Sequence, residues 1–325
     1  MEHLVDLRSD TVTKPSDGMR EAMLNADVGD DVYGEDPTAT ALEAKAADLL
    51  KTESALFVTS GTQSNLLALL SHCQRGDEYI AGEEAHTYRF EAGGAAVLGG
   101  IQPQPLPFEA DGTLALDAVI AAIKPDDYHF ARSRLLCLEN TQAGKPLSVD
   151  YVAQAADVCS RYGLNLHLDG ARLFNAAVAE GVPIAAYGGL VDSVSVCLSK
   201  GLGAPAGSVL VGSQPFIHAA RRWRKMLGGG MRQAGVLAAA GLYALEHHVD
   251  RLAQDHALAV GLAQGIGEKL GTSIKQATNM VFVDVPKLDD IRAKLAQKDV
   301  LTSGSRWVVH LDVNQDDIEF VVNAI

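Results

Sequence analysis

LNLHLDGARLFNAAVAEGVPIAAYGGLVDSVSVCLSK, residues 164–200, is the stretch on which the fold turns. Leu164, Leu166 and Leu168 alternate with Asn165, His167 and Asp169. That period of two belongs to a half-buried strand. A helical pattern follows from about Arg172 to Glu180, and then a second apolar run, SVSVCLS (193–199). Strand, helix and strand in succession make a βαβ unit with parallel strands. The next apolar run, SVLVG (208–212), follows a glycine-rich turn with no room for a crossover helix, so it should run antiparallel to its neighbour. The same alternation extends upstream. SALFV (54–58) precedes a helix over 61–73, DEYIA (77–81) a helix-like stretch to Phe90, and RLLCLE (134–139) a helix over 149–162. Downstream, a long helical region (242–267) leads to NMVFVDV (279–285), a helix over 288–298, RWVVHL (306–311) and a final helix from Gln315. These elements predict an α/β chain of two units, a large one over 1–246 with a mainly parallel sheet and a small α+β unit over 247–325. The boundary falls inside the long helix near Glu246, and no Pro/Ser linker separates the two units, which should pack tightly.

Composition narrows the function. The chain has 325 residues, 47% of them apolar, enough for a large core. Its 27 basic and 41 acidic residues give a formal charge of −14, which argues against dedicated binding to nucleic acid or to anionic membranes. Cys73, Cys137, Cys159 and Cys197 form no C-x-x-C pair and match no zinc spacing, so free buried thiols of a cytoplasmic protein are expected. MEHLVDLRSD lacks the apolar core of a secretion signal, and the most apolar stretch, Ala234–Leu245, is far short of the roughly 20 residues a membrane span needs.

Four candidate sites lie at the C-terminal ends of expected strands, where open α/β sheets bind ligands. TSGTQSN (59–65) is either an ordinary capped helix or an anion seat of free N–H groups. Asp169 either caps the next helix or stays ionised beside a cation. Lys200 either reaches solvent or is a partly desolvated amine able to form a Schiff base. His86 reads equally as a core histidine, a metal ligand or a stacking group. GLGAPAG has the wrong spacing for a dinucleotide fingerprint, and a strand follows it rather than a helix, which disfavours a nicotinamide oxidoreductase. Asp169 and Lys200 sit about one βαβ unit apart. A lysine and an aspartate so placed are the two protein groups that pyridoxal phosphate chemistry requires, and the helix start at 61–65 would seat the phosphate.

DLRSDTVTKPS (6–16), VGDDVYGEDPT (28–38), SGTQSNL (60–66), AHTYRFEAGG (85–94), KPDDYHF (124–130), LENTQAGKPL (138–147), LHLDGARLFNA (166–176), CLSKGLGAPAGS (197–208) and RKMLGGGMRQAG (224–235) together resemble the low-specificity L-threonine aldolases. TNMVF (278–282) and the Arg306–Val313 segment extend the likeness into the small unit. The resemblance implies a fold-type-I pyridoxal phosphate enzyme with a seven-stranded sheet. It implies cleavage of L-threonine or L-allo-threonine to glycine and acetaldehyde, by a homotetramer built of dimers with shared sites. It assigns Lys200 as the Schiff-base lysine, Asp169 as partner of the pyridine nitrogen, and His86 as the imidazole stacked on the cofactor ring. Gly61, Thr62 and Ser199 match phosphate-side positions. Ser9, Arg172 and Arg306 match the groups that hold the substrate carboxylate, and His129 matches a histidine near its hydroxyl. Tyr33 and Phe90 match wall positions, and Lys225 and Arg232 match basic residues near the phosphate or a subunit interface. No metal is implied. The proton acceptor is left open among His86, His129 and a water. β-Elimination from an amino acid would use the same lysine and aspartate.

Overall fold

The computed structural model describes residues 4–325, so the first three residues of the leader reading lie outside it. An arm strand, β1 (Val5–Asp6), comes first. Seven strands then build the central sheet: β2 (Ser54–Val58), β3 (Asp77–Gly82), β4 (Gln102–Leu106), β5 (Arg132–Glu139), β6 (Asn165–Gly170), β7 (Ser193–Cys197) and β8 (Ser208–Gly212). Their order across the sheet is β2-β8-β7-β6-β5-β3-β4. All neighbours pair in parallel except β8, which is antiparallel to both β7 and β2. This is the α/β architecture expected, including the reversed strand. Leu198 N–H closes the β7–β8 turn on the carbonyl of Gly207 at 3.1 Å. Gly207 has φ +100°, and a Cβ there would lie 2.5 Å from Phe57, so only glycine fits this turn.

Sequence patterning missed β4, whose QPQPL carries two prolines. Proline cannot donate to a ladder, but β4 is an edge strand with β3 as its one neighbour, so the missing donors cost little there. The long boundary helix also needs correction. It is two helices, Gly235–His247 and Leu252–Leu270, with the intervening turn tied down by the buried His248 ring, whose Nδ1 lies 2.7 Å from the carbonyl of Leu202. In the small unit β10 (Met280–Phe282) and β12 (Arg306–Val308) are shorter than their apolar runs, and two strands the sequence reading missed join them, β9 (Lys275–Ala277) and β11 (Val300–Leu301). The order β12-β10-β9 is antiparallel, whereas β11 pairs in parallel with β1, Val5 opposite Val300.

Two principal cores follow. One gathers Phe57, Ile80, Leu136, Leu166, Val194 and Val209 from the sheet with Leu42, Phe174 and Ala238 from its covering helices. The other gathers Leu262, Ile266, Val281, Trp307 and Ile318 with Val5 and Leu7 of the arm. The arm's apolar side chains therefore pack with the small unit. All four cysteines are free and buried. Among the described residues no helix is long and apolar enough to cross a membrane.

Candidate active site

The C-terminal ends of the parallel strands converge on a cavity of about 570 Å³ lined by His86, Phe90, Glu139, Thr141, Arg172, Lys200, Met280 and Arg306 among others. Each side chain arrives for a local reason. Lys200 lies three residues past the end of β7, in the turn that leads back to β8. It is half-buried, and its amine has no hydrogen-bond or ion-pair partner among the described residues. Asp169 lies near the end of β6, buried to 2% exposure. Its Oδ1 accepts from the Ala171 N–H at 3.0 Å and its Oδ2 from Asn65 Nδ2 at 2.8 Å. Asn65 is on the first turns of the helix Gly61–His72, so the helix that follows β2 reaches across to the end of β6.

His86 opens a short helix after β3. Its backbone N–H donates to Glu139 at 2.7 Å, and its Nδ1 lies 2.8 Å from Glu91 Oε1. The Glu91 hydrogen bond holds the imidazole above its ordinary value, against the opposing effect of burial. His86, Glu91 and Asp169 bring side-chain polar atoms within 4.8 Å of one another. Glu139, at the end of β5, is pushed well above the ordinary carboxylate range by burial and by the Asp169 charge. Phe90 stands beside His86 at the rim, ring centroids 5.9 Å apart, and is 58% exposed.

The two arginines differ. Arg172 is clamped on buried Asp10 of the arm by two bonds, Nε–H to Oδ2 at 2.8 Å and Nη2–H to Oδ1 at 2.6 Å. Burial works to raise Asp10, but the Arg172 charge outweighs it and holds the carboxyl at about 2. Asn279 Nδ2 adds a bond to Asp10 Oδ2 at 3.3 Å. Arg306, on β12, is exposed and has no hydrogen-bond or ion-pair partner among the described residues. It is the cation of the pair whose whole guanidinium fork is open to a carboxylate.

The helix start at 61 has the features of an anion seat. Ser60 caps it by accepting from Gln63 N–H at 3.1 Å, and the Gln63 side chain in turn accepts from Thr59 N–H. The buried Ser208 Oγ has no hydrogen-bond partner, and it is the nearest atom, at 3.7 Å, that a Cβ on Gly61 would meet. An orphaned hydroxyl beside an open glycine fits the phosphate of pyridoxal phosphate. The unpaired Lys200 amine and the Asp169 carboxylate fit the aldehyde and the ring nitrogen of the same molecule. Thr62 is exposed on the first turn, and Ser199 is half-buried with its Oγ 3.5 Å from Cys197 Sγ.

Other residues singled out in the sequence lie away from the cavity lining. Ser9 caps the turn Asp10–Val12, accepting from Thr11 N–H at 3.2 Å. Tyr33 is 76% exposed. His129 lies on an exposed loop, its Nδ1 2.6 Å from Asp127 and its ring 4.1 Å from that of Tyr128. Arg232 is half-exposed and bonds Asp30 at 3.0 Å. Lys225 is exposed near the end of the helix Gln214–Met226.

Sequence reasoning passed over Asp10, Asn65, Glu91, Glu139 and Asn279. It also passed over Arg224, which is buried and donates to the Phe57 carbonyl at 2.8 Å and to Asp31 at 2.7 Å. Arg224 had a readable signal. It falls on the stripe Ile217–Ala220–Arg224, the buried face of its helix, whereas Arg221 lies off it and pairs with Glu43.

Comparison with known proteins agrees with this geometry. The beta-eliminating lyase family model matches residues 6–287. The chain is 53% identical to the low specificity L-threonine aldolase of Escherichia coli over 97% of its own length and 96% of that protein. It is 46% identical to low-specificity L-threonine aldolase 1 of Arabidopsis thaliana, covering 98% and 95% of the two chains. The crystal structure of Leishmania major threonine aldolase superposes with a TM-score of 0.83 over 98% of both chains at 22% identity, which establishes the shared fold. With an unpaired strand-end lysine, a buried strand-end aspartate and relatives of this closeness over nearly its whole length, the chain belongs to the beta-eliminating lyase family and, within it, to the low-specificity L-threonine aldolases.

Proposed function

We propose that the chain uses pyridoxal phosphate to cleave β-hydroxy-α-amino acids, L-threonine and L-allo-threonine foremost, into glycine and the corresponding aldehyde. The observation that carries the proposal is the gathering of Lys200, His86, Arg172 and Arg306 around one cavity above Asp169. The cofactor, when bound, supplies the electron sink for a broken Cα–Cβ bond. The chain's own residues do the rest. Lys200, whose amine is unpaired, would hold the cofactor through its aldehyde carbon. Asp169, accepting from Asn65 and Ala171, is held to accept a further bond from a ring N–H. Arg306 takes the substrate carboxylate, with Arg172 beside it and fixed by Asp10. That grip sets which bond at Cα is turned for cleavage. His86 is a candidate to take the hydroxyl proton, and Glu91 fixes which of its nitrogens is the acceptor.

Gly61, Thr62 and Ser199 are proposed to face the phosphate, Ser9 the substrate carboxylate, and Phe90 the open side of the ring. Tyr33, His129, Lys225 and Arg232 are exposed in the single chain. We assign them to sites completed by a neighbouring copy in a cytoplasmic tetramer of two dimers. The large unit is taken to end at 246 and the small one to run over 247–325. The test is direct. Purified protein with pyridoxal phosphate should develop a visible absorption band and release acetaldehyde and glycine from L-threonine. Formation of 2-oxobutanoate instead would redirect the proposal to elimination. Light scattering should give four times the mass of one chain, and a monomer would overturn the assembly.

A further inference from the structure

Beneath the cavity a line of polar side chains crosses the sheet from its N-terminal to its C-terminal edge. His72 Nε2 lies 2.7 Å from Ser193 Oγ, which lies 2.8 Å from His167 Nδ1. His167 Nε2 lies 3.3 Å from Asn65 Oδ1. Asn65 Nδ2 reaches Asp169 at 2.8 Å and Glu91 at 2.9 Å. Asn65, His167, Ser193 and Asp169 are all buried to 2% exposure or less. His72, at the outer end, lines a separate surface cavity of about 580 Å³ at the opposite edge of the sheet.

Counting protons fixes the direction of every link. Only the amide nitrogen of Asn65 carries hydrogens, and it has two, one for each carboxylate. Its oxygen therefore faces His167 and must accept, so His167 carries its proton on Nε2. The other nitrogen, Nδ1, is then a bare acceptor, and Ser193 must donate to it. The serine oxygen is left to accept from His72, which also carries its proton on Nε2. Burial keeps both rings neutral, holding His167 down to about 3 against the raising effect of the Ser193 backbone, and His72 to about 4. A doubly protonated ring at 167 would point a donor at the serine hydroxyl and break the sequence of bonds.

We propose that His72, Ser193, His167 and Asn65 form a one-way hydrogen-bond chain that holds Asp169 and Glu91 as acceptors. These four are positioning residues; none touches the substrate. Two consequences reach the cavity. Asp169 keeps its oxygens oriented for the ring nitrogen. Glu91 Oε1 accepts from His86 Nδ1, so Nε2 is the nitrogen left free on His86 to take a proton. Both rest on the cofactor reading above, but the proton order within the chain does not.

Nitrogen NMR of the histidine-labelled, cofactor-free protein reads that order. His72 and His167, assigned through His72→Gln and His167→Gln, should be neutral with the proton on Nε2. A proton on Nδ1 of either ring, or a charged ring at neutral pH, overturns the proposal. The second arm is chemical rescue within one position. His167→Leu should weaken pyridoxal phosphate binding roughly tenfold, alter the absorption of the bound cofactor, and lower kcat with little change in KM. His167→Gln should recover most of this, since its amide can donate to Asn65 and accept from Ser193. Equal behaviour of the two variants overturns the proposal. If His167→Leu does not fold, Ser193→Ala takes its place: His167 should keep its proton on Nε2, held by Asn65 Oδ1, while its Nδ1 resonance shifts for loss of the serine donor; a proton moved to Nδ1, or an unshifted Nδ1, counts against the chain. Failure of wild-type protein to bind pyridoxal phosphate would sink the functional reading alone, because the tautomers are measured without it.

Discussion

The floor of the cavity and its rim are held by different forces. On the floor, Asp169 and His167 of β6, Asn65 of the helix against it and Glu91 of the bend after the His86 helix are buried and joined to one another by hydrogen bonds. At the rim, Phe90, Arg306 and, farther out, Tyr33 and His129 are exposed, with at most neighbouring residues of the same loop or turn as partners. Groups whose charge must be set in advance sit where packing and hydrogen bonds over-determine them. Groups that meet a diffusing ligand sit where water is still present.

If that division is right, substitutions should fail in different ways on the two sides. The largest effect is expected at Lys200. Lys200→Ala should abolish turnover and the visible band of the bound cofactor, with little loss of thermal stability, since the amine makes no hydrogen bond or ion pair and acts on buried Asp10 and Glu139 through its charge alone. Retained turnover would break the assignment.

The arginine pair gives a sharper contrast. Arg172→Ala leaves Asp10 buried without its counter-charge, an arrangement that costs about 3–5 kcal/mol, so Tm should fall along with activity. Arg306→Ala removes an unpaired, exposed cation, so KM should rise with Tm unchanged. Asp10 adds a pH signature. Its folded value lies below its unfolded one, so its contribution to stability is complete above the ordinary carboxylate value near 3.8 and is lost as pH falls toward about 2. In Arg172→Ala this acid dependence should weaken or reverse, which thermal scans between pH 2 and 5 would read.

His129 comes next. If the hydroxyl-facing role implied by resemblance is supplied from a neighbouring copy, His129→Ala should keep the cofactor spectrum. It should change the threonine to allo-threonine ratio of kcat/KM by roughly tenfold, the scale of one unmade bond in a closed site. An unchanged ratio leaves the hydroxyl to His86 or to a water. The smallest effect is expected at Glu91. Its hydrogen bond raises His86, so the acid limb of kcat/KM should lie above the ordinary histidine value, the rate falling as pH drops through it. Glu91→Gln should move that limb to lower pH, and a limb that stays put would detach His86 from the proton transfer.

The strand directions of the large unit were readable, because alternating leucines mark β6 and the turn before β8 is too short for a helix, whereas the order across the sheet was not. Lys200 and Asp169 were readable for the same reason: they interrupt apolar runs at strand ends. β4 was hidden because prolines usually signal loops, and only its edge position reconciles them with a ladder. The helix break at 248–251 was hidden because its cause, the His248–Leu202 bond, joins residues far apart in sequence. Asn65 was invisible in a different way. In SGTQSNL it looks like one more polar residue on a capped helix, and its role exists only once β6 lies beside that helix. His167 offered a trace, a histidine on the polar side of an alternating strand, but nothing in the pattern says that side is also covered.

The pairing of Val5 with Val300 has a consequence for biosynthesis. The arm leaves the ribosome long before its partner strand. Until residues 300–301 have emerged, β1 has no edge to join, and Val5 and Leu7 lack most of the core that covers them. Asp10 follows directly on that arm, and its bond from Asn279 waits for a residue far downstream. Contacts of such long separation are the slow ones in folding. The nascent chain can thus assemble its sheet and its Asp169 floor well before Arg306 and the arm's partner strand emerge, so the floor forms ahead of the carboxylate grip.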